Sequence, residues 1–272
     1  FRRHLREELG LDPSPAFAEV ERNVLEGAAG EPPAPHEPTP RPRTPAPALV
    51  GGLVGRDAAL RDVQDAVDRA RLVTLTGPGG VGKSAMAAEI ARRLGPSFRD
   101  GVCVVELAPV SDPAAVVAAA AQSVHAERRS GRSLTDAVID VLSPQELLLV
   151  VDNCEHVIEA AGELIGELIR WCPSVTVLTT SREPIGMAGE LVRLVAPLDV
   201  PADPSAPLRD IAAMASVEVF VARAAESSPG FELTDATAGA VAELCIQLDG
   251  LPLALELAAA RMASMTPRQL AD

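Results

Sequence analysis

Apolar positions along the chain follow three rhythms. In the first segment Phe17, Val20, Val24 and Leu25 are spaced as on one face of a helix. Just before them, Asp12-Pro13-Ser14-Pro15 breaks one helix and starts another. Between 27 and 50 large apolar side chains nearly vanish. From 51 onward, short unbroken apolar runs alternate with longer stretches at helical spacing. The runs at 72–76, 102–107, 147–151, 175–180 and 191–194 have strand length. Their continuous apolar character suits a parallel sheet buried on both faces. Helical patterns such as 155–171 lie between them, which predicts a doubly wound α/β sheet. From about Leu208 the spacing is helical alone. The expected division is a helical segment over 1–26, a linker over 27–50, an α/β domain over 51–207 and a small helical domain over 208–272.

Composition narrows the function classes. Hydrophobic residues make up 47% of the 272 residues, enough for a sizeable core, but aromatics are only 2%. Base-stacking on aromatic platforms, the common device for single-stranded nucleic acid, has almost nothing to work with. The formal net charge of −14 makes these residues a poor DNA-binding face. Eight prolines between Pro32 and Pro47 favour an extended, semi-rigid spacer. Cys103, Cys154, Cys172 and Cys245 show neither CxxC nor zinc spacing and read as reduced, buried thiols. With no run of 18 apolar residues and no signal peptide, the expected location is the cytoplasm, without membrane attachment. The chain begins at Phe1 in mid-helix pattern and reads as a piece of something longer.

The chemistry concentrates in one string. Gly77-Pro78-Gly79-Gly80-Val81-Gly82-Lys83-Ser84 matches GxxxxGK[ST], with an apolar strand before it and a helix-forming stretch after it, the context a phosphate-binding loop requires. Glycines let backbone N–H groups turn inward around phosphate oxygens, and the helix N-terminus adds partial positive charge. Lys83, the only lysine in the chain, is placed to reach the β- and γ-phosphates, and Ser84 to ligate magnesium. The plainer alternative is a glycine-rich turn without ligand. A P-loop NTPase fold binding ATP or ADP with Mg²⁺ is therefore expected.

Leu147-Leu148-Leu149-Val150-Val151-Asp152 delivers an acid at the end of an apolar strand, where open parallel sheets bind ligands. Asp152 is expected to hold magnesium, directly or through water, with a helix N-cap as the alternative. The next residue, Asn153, stands where many P-loop ATPases place a second acid, and it cannot accept a proton. Glu155 either substitutes for that acid or is a first-turn helix acid. Arg182, in Thr179-Thr180-Ser181-Arg182 after another apolar run, is a candidate sensor of the γ-phosphate. The alternative is a surface ion pair with Glu183.

Together these motifs resemble the STAND class of P-loop ATPases, specifically the NB-ARC type. Leu53-Val54-Gly55-Arg56-Asp57 is similar to the upstream motif whose backbone meets adenine, which implies nucleotide contact at Val54, Gly55 and Arg56. Asp152-Asn153-Cys154-Glu155-His156 looks like the Walker B form of bacterial regulators in this class. Gly250-Leu251-Pro252-Leu253-Ala254-Leu255 resembles the GLPLA motif, whose proline packs on the base, here Pro252. The implied binding set also includes Gly77, Gly79, Gly80, Val81, Gly82 and Ala85. The segment from Phe1 to Pro15 resembles the end of a bacterial transcriptional activation domain, as in the large SARP, or AfsR-type, regulators of secondary metabolism. In such regulators DNA and RNA polymerase are met through domains outside these residues, and activation brings copies of the protein together. A winged-helix domain and sensor repeats would lie beyond Asp272.

These readings make the chain a nucleotide-controlled switch with slow hydrolysis. The competing reading is an enzyme, a motor ATPase or a small-molecule kinase. Asn153 argues against a motor, and no acceptor-activating acid argues for a kinase.

Overall fold

The computed structural model describes residues 53–271 apart from 129–130. The helical segment expected over 1–26 and the linker expected over 27–50 lie outside the described residues. Helix α1 (Asp57–Arg69) leads into strand β1 (Leu72–Thr76), followed by the glycine-rich loop and helix α2 (Lys83–Leu94). Then come β2 (Val102–Glu106), α3 (Val116–Ser123), α4 (Leu134–Leu142), β3 (Leu147–Asp152), α5 (Ile158–Trp171), β4 (Val175–Thr180) and β5 (Glu190–Leu194).

The five strands form one sheet in the order β2-β3-β4-β1-β5, and every pairing is parallel. Each crossover needs a covering element, so the central strands β1, β3 and β4 are buried on both faces and read as apolar runs, while the edge strands β2 and β5 are only partly buried. All five residues of β1 are buried. Alternation along the strands divides their side chains between two cores. Val73, Leu75, Leu148, Val150 and Leu178 meet α1 and α2 on one face. Leu72, Leu149, Val151, Val175 and Val177 meet α3, α4 and α5 on the other. The doubly wound sheet expected from the sequence is therefore present. Two buried hydroxyls interrupt the apolar run in register, Thr74 on β1 opposite Thr179 on β4, and they bond to each other at 2.7 Å. Each thus supplies the partner that burial demands of the other.

Helix α5 begins at Ile158, later than the 155–171 pattern predicts, because a 3-10 turn, Cys154–His156, precedes it. Its far end is held by Arg71, whose guanidinium donates to the carbonyls of Ile169, Cys172 and Val175. The last turn of a helix leaves carbonyls unsatisfied, and a cation there meets both the geometry and the dipole.

After β5 the chain becomes helical: α6 (Leu208–Ala212), α7 (Ala215–Ser227), α8 (Asp235–Gln247), α9 (Pro252–Ala260) and α10 (Pro267–Ala271). These helices enclose a separate core around Phe220, Val241, Cys245 and Leu255, with Phe231 edge-on to Phe220. The turn between α8 and α9 is fixed by Gly250, at φ +61, whose carbonyl accepts from Leu198 N. A Cβ there would lie 2.1 Å from Leu198 O, so only glycine lets the two backbones meet. All four cysteines are free and buried.

Candidate functional site

In a parallel sheet all the C-terminal strand ends emerge on one edge, and here that edge gathers every chemically distinctive residue of the α/β part. The loop 77–82 leaves β1, Asp152 ends β3, and Ser181-Arg182 leave β4. Strands β3, β4 and β1 are adjacent. Residues separated by about a hundred positions thereby share one crevice.

The loop is built for close backbone approach. Gly80 and Gly82 have φ of +77° and +97°, where other residues are strained. Val81 between them is fully buried and anchors the turn. The first helical bond of α2 runs from Met86 N to Gly82 O, so the amides before it are left for another acceptor. Lys83 crosses the loop and donates to Gly77 O at 2.9 Å and Pro78 O at 3.1 Å. Two of its three ammonium protons are thus spoken for. It is 8% exposed. Burial pulls its pKa below the ordinary lysine value; Glu155 and Asp152 oppose that pull and Arg182 adds to it.

Asp152 is oriented from the neighbouring strand. Thr180 Oγ donates to Asp152 Oδ1 and accepts from Asn153 N at 2.8 Å. One β4 hydroxyl therefore fixes both the carboxylate and the turn that follows it. Asp152 is the last residue of β3; the N-cap position of the next turn belongs to Asn153. Asn153 sits in the left-handed region at φ +67, which Asn tolerates. Its amide faces His156 Nδ1 at 3.3 Å, while His156 Nε2 lies 2.6 Å from Val110 O. A carbonyl partner requires the proton on Nε2, so Nδ1 accepts from Asn153. Asn153 is thus occupied in shaping the turn.

Glu155 lies in that 3-10 turn, and the first-turn acid of α5 is Glu159. Glu155 Oε1 stands 3.3 Å from Arg182 Nε, while its Oε2 is buried without a hydrogen-bond partner. Arg182 therefore pairs with Glu155, and the pair lies over the loop. A Cβ built on Gly79 would meet Arg182 Nη2 at 3.7 Å. Cys154 between these acids is fully buried, and burial, with Asp152 and Glu155 adding, pushes its thiol up to about 12.

The remaining expected residues fall around this crevice. Val54 and Gly55 form a turn before α1, with Gly55 packed so closely on Ala215 that a Cβ would lie 2.4 Å from Ala215 Cβ. Arg56 is buried, and its guanidinium donates to Ala196 O and to Val81 O, tying this turn to the loop. Burial lowers its pKa, with Asp199 opposing. Pro252 is the first residue of α9, where a missing N–H costs nothing. The adjoining Leu253 N donates to Gly80 O at 3.2 Å, so the helical part is bonded directly to the loop. Ser84 and Ala85 line a cavity of about 260 Å³ with Ala87, Ala88, Ala91, Val104, Glu106, Val150 and Asp152.

Sequence reasoning missed Thr180 and Leu253. Both are visible as residues, but their roles depend on strand pairing and on the docking of α9. Among the described residues no three His, Cys, Asp or Glu cluster as a metal cage. Ser84 and Asp152 do fit magnesium in its usual nucleotide setting, in which few protein oxygens act with phosphate oxygens and water.

Comparisons with known proteins agree with this architecture. A sequence model of the AAA ATPase domain matches residues 52–178. Over 202 residues the chain is 45% identical to a Mycobacterium tuberculosis protein named as an HTH-type transcriptional regulator, a match taking in 74% of this chain and 21% of that protein. It is 27% identical over 290 residues to the regulatory protein AfsR of Streptomyces griseus, covering 97% of this chain and 26% of AfsR. The chain thus spans about a fifth to a quarter of these two relatives. Among solved structures, a Walker-type ATPase of Pyrococcus abyssi superposes with a TM-score of 0.54 at 14% identity, covering 80% of this chain and 70% of that one. The fold is that of an α/β P-loop NTPase, in a chain similar to transcriptional regulators. No helix among the described residues is long and apolar enough to cross a membrane.

Proposed function

We propose that this chain is the nucleotide-controlled switch of a transcription regulator of the NB-ARC type, binding ATP or ADP with Mg²⁺ and hydrolysing ATP slowly. The observation that carries the reading is the meeting at the loop of three parts of the chain. Lys83 lies in the loop itself. The Arg182–Glu155 pair hangs over Gly79. The helical part bonds to Gly80 through Leu253. A ligand seated there touches parts that can separate, and a switch needs such differential contact. The loop amides and Lys83 would hold the β- and γ-phosphates, and Ser84 and Asp152 the cation. Val54, Gly55 and Pro252 would border the base. Magnesium supplies charge neutralisation between phosphates.

Asn153 offers no carboxylate for an attacking water and is bonded to His156. Glu155 is turned to Arg182. Charge stabilisation alone still gives some rate, so turnover below about 0.1 s⁻¹ is expected, against ~1 s⁻¹ or more for ordinary enzymes. Association of copies on activation, and action on DNA and RNA polymerase through other parts of a longer protein, complete the proposal. The motif resemblance to AfsR-type regulators leads us to propose genes of secondary metabolism as the target.

The test is to denature the purified protein, identify released nucleotide by chromatography, and measure turnover. Bound ADP or ATP with slow turnover supports the switch. Tens of turnovers per second would return the chain to the motor or kinase class, and failure to bind any nucleotide would remove the reading.

A further inference from the structure

The register of β2 against β3 places Val104 opposite Val150 and Glu106 opposite Asp152. Residues two apart on a strand share a face. Val102 and Val104 pack with Leu148 and Val150 on the α2 side, while Cys103, Val105 and Leu107 pack with Leu149 and Val151 on the other. Glu106 therefore projects on the α2 side beside Asp152, and both line the cavity that Ser84 also lines. Adjacent strands are about 4.8 Å apart, so the two carboxylates are neighbours. Like charges opposite each other on a sheet destabilise it. Asp152 has Thr180 on its other flank, and the Glu106 side chain is exposed at the end of its edge strand. Two facing acids beside the hydroxyl of a phosphate-binding loop are what a divalent cation would reconcile.

We propose that Glu106 is the second carboxylate of the cation site, holding through water the divalent ion that Ser84 and Asp152 hold against the nucleotide. This rests on the nucleotide-binding reading above. Ser84, Glu106 and Asp152 are the three polar residues among the nine that line the cavity, the others being alanine and valine; magnesium is usually bound by one or two carboxylates with several of its waters retained. Glu106 stands at the end of a different strand from Asp152 and lies far from Asn153 in sequence. It therefore supplies a second acid to the site without restoring the one that Asn153 replaces.

The test compares wild type, Glu106→Gln and Asp152→Asn by thermal unfolding, with ATP fixed and magnesium titrated from an EDTA baseline. In EDTA without nucleotide, Glu106→Gln should unfold near the wild-type temperature, because the side chain is exposed and an exposed substitution costs little. With ATP it should need several-fold more magnesium for half of the stabilisation, toward the roughly tenfold that loss of an outer-sphere partner costs. Manganese binding in the presence of ADP, followed by electron paramagnetic resonance, should weaken in parallel. An unchanged magnesium midpoint in Glu106→Gln, alongside a raised one in Asp152→Asn, overturns the proposal and makes Glu106 an edge-strand surface charge. If wild type shows no stabilisation by ATP with magnesium, the nucleotide reading itself fails.

Discussion

The two halves of the crevice are held in different ways. The cradle half, 77–84, is shaped mainly by its own residues, with consecutive glycines, a buried Val81 and a lysine bonded to carbonyls five and six residues back, and Arg56 and Leu253 bond to its carbonyls from outside. The reading half, around Asp152, Glu155 and Arg182, is assembled across strands by a Thr180 hydroxyl and one ion pair whose arginine is 68% exposed. The second half owes its geometry to a buried hydroxyl and an ion pair with one exposed partner, both reaching across strands.

Mutations should separate the halves. Lys83→Ala removes the fixed cation of the cradle. We expect at least a tenfold loss of ATP affinity, ~1.4 kcal/mol, with circular dichroism unchanged. Calorimetric titration checks it, and wild-type affinity in a folded mutant would show that the cradle does not bind phosphate. Thr180→Val should cost about 1 kcal/mol of stability, since Asp152 and Asn153 N lose their shared partner, and should also raise the magnesium requirement. Denaturant unfolding measures the first, and no change would mean water replaces the hydroxyl fully.

Arg182→Ala should leave stability nearly untouched, because an exposed ion pair contributes little. It should narrow the affinity difference between a non-hydrolysable ATP analogue and ADP by less than tenfold. A paired titration giving the wild-type ratio would reduce Arg182 to a surface partner of Glu155. A separate effect, on stability alone, is expected in acid. Hydrogen bonds from Arg92 and Arg93 hold the Glu89 carboxyl on α2 at about 2, below its ordinary 4.5. That depressed pKa contributes stability present above pH 4.5 and lost as pH falls toward 2. The stability gap between wild type and Glu89→Gln should therefore be constant from neutral pH to about 5 and close below it. A gap that instead widened in acid would reverse the assignment.

How much was legible in the sequence follows the same division. The strands and the glycine loop are written in contiguous residues, so periodicity and spacing reach them. The apolar pattern predicts too early a start for α5, because residues 155–157 keep helical spacing while Asn153 adopts a left-handed turn, a conformation that hydropathy does not register. For Arg182 the sequence offers an ion pair with its neighbour Glu183 as the alternative to sensing phosphate, whereas the structure sets it against Glu155. That choice depends on β3 and β4 lying side by side. Thr180, Glu106 and Leu253 share this character. Each is an ordinary residue until strand order or helix docking supplies its neighbour.

The lysine of the cradle has a practical consequence. It is the only lysine of the 272 residues and only 8% exposed, so amine-directed chemistry has a single side-chain target in the whole segment. An acylating tag read out by intact mass reports whether that one ammonium is covered. Increments of mass, counted with and without ATP, would then measure occupancy of the loop in the wild-type sequence, with no fluorophore, mutation or radiolabel required.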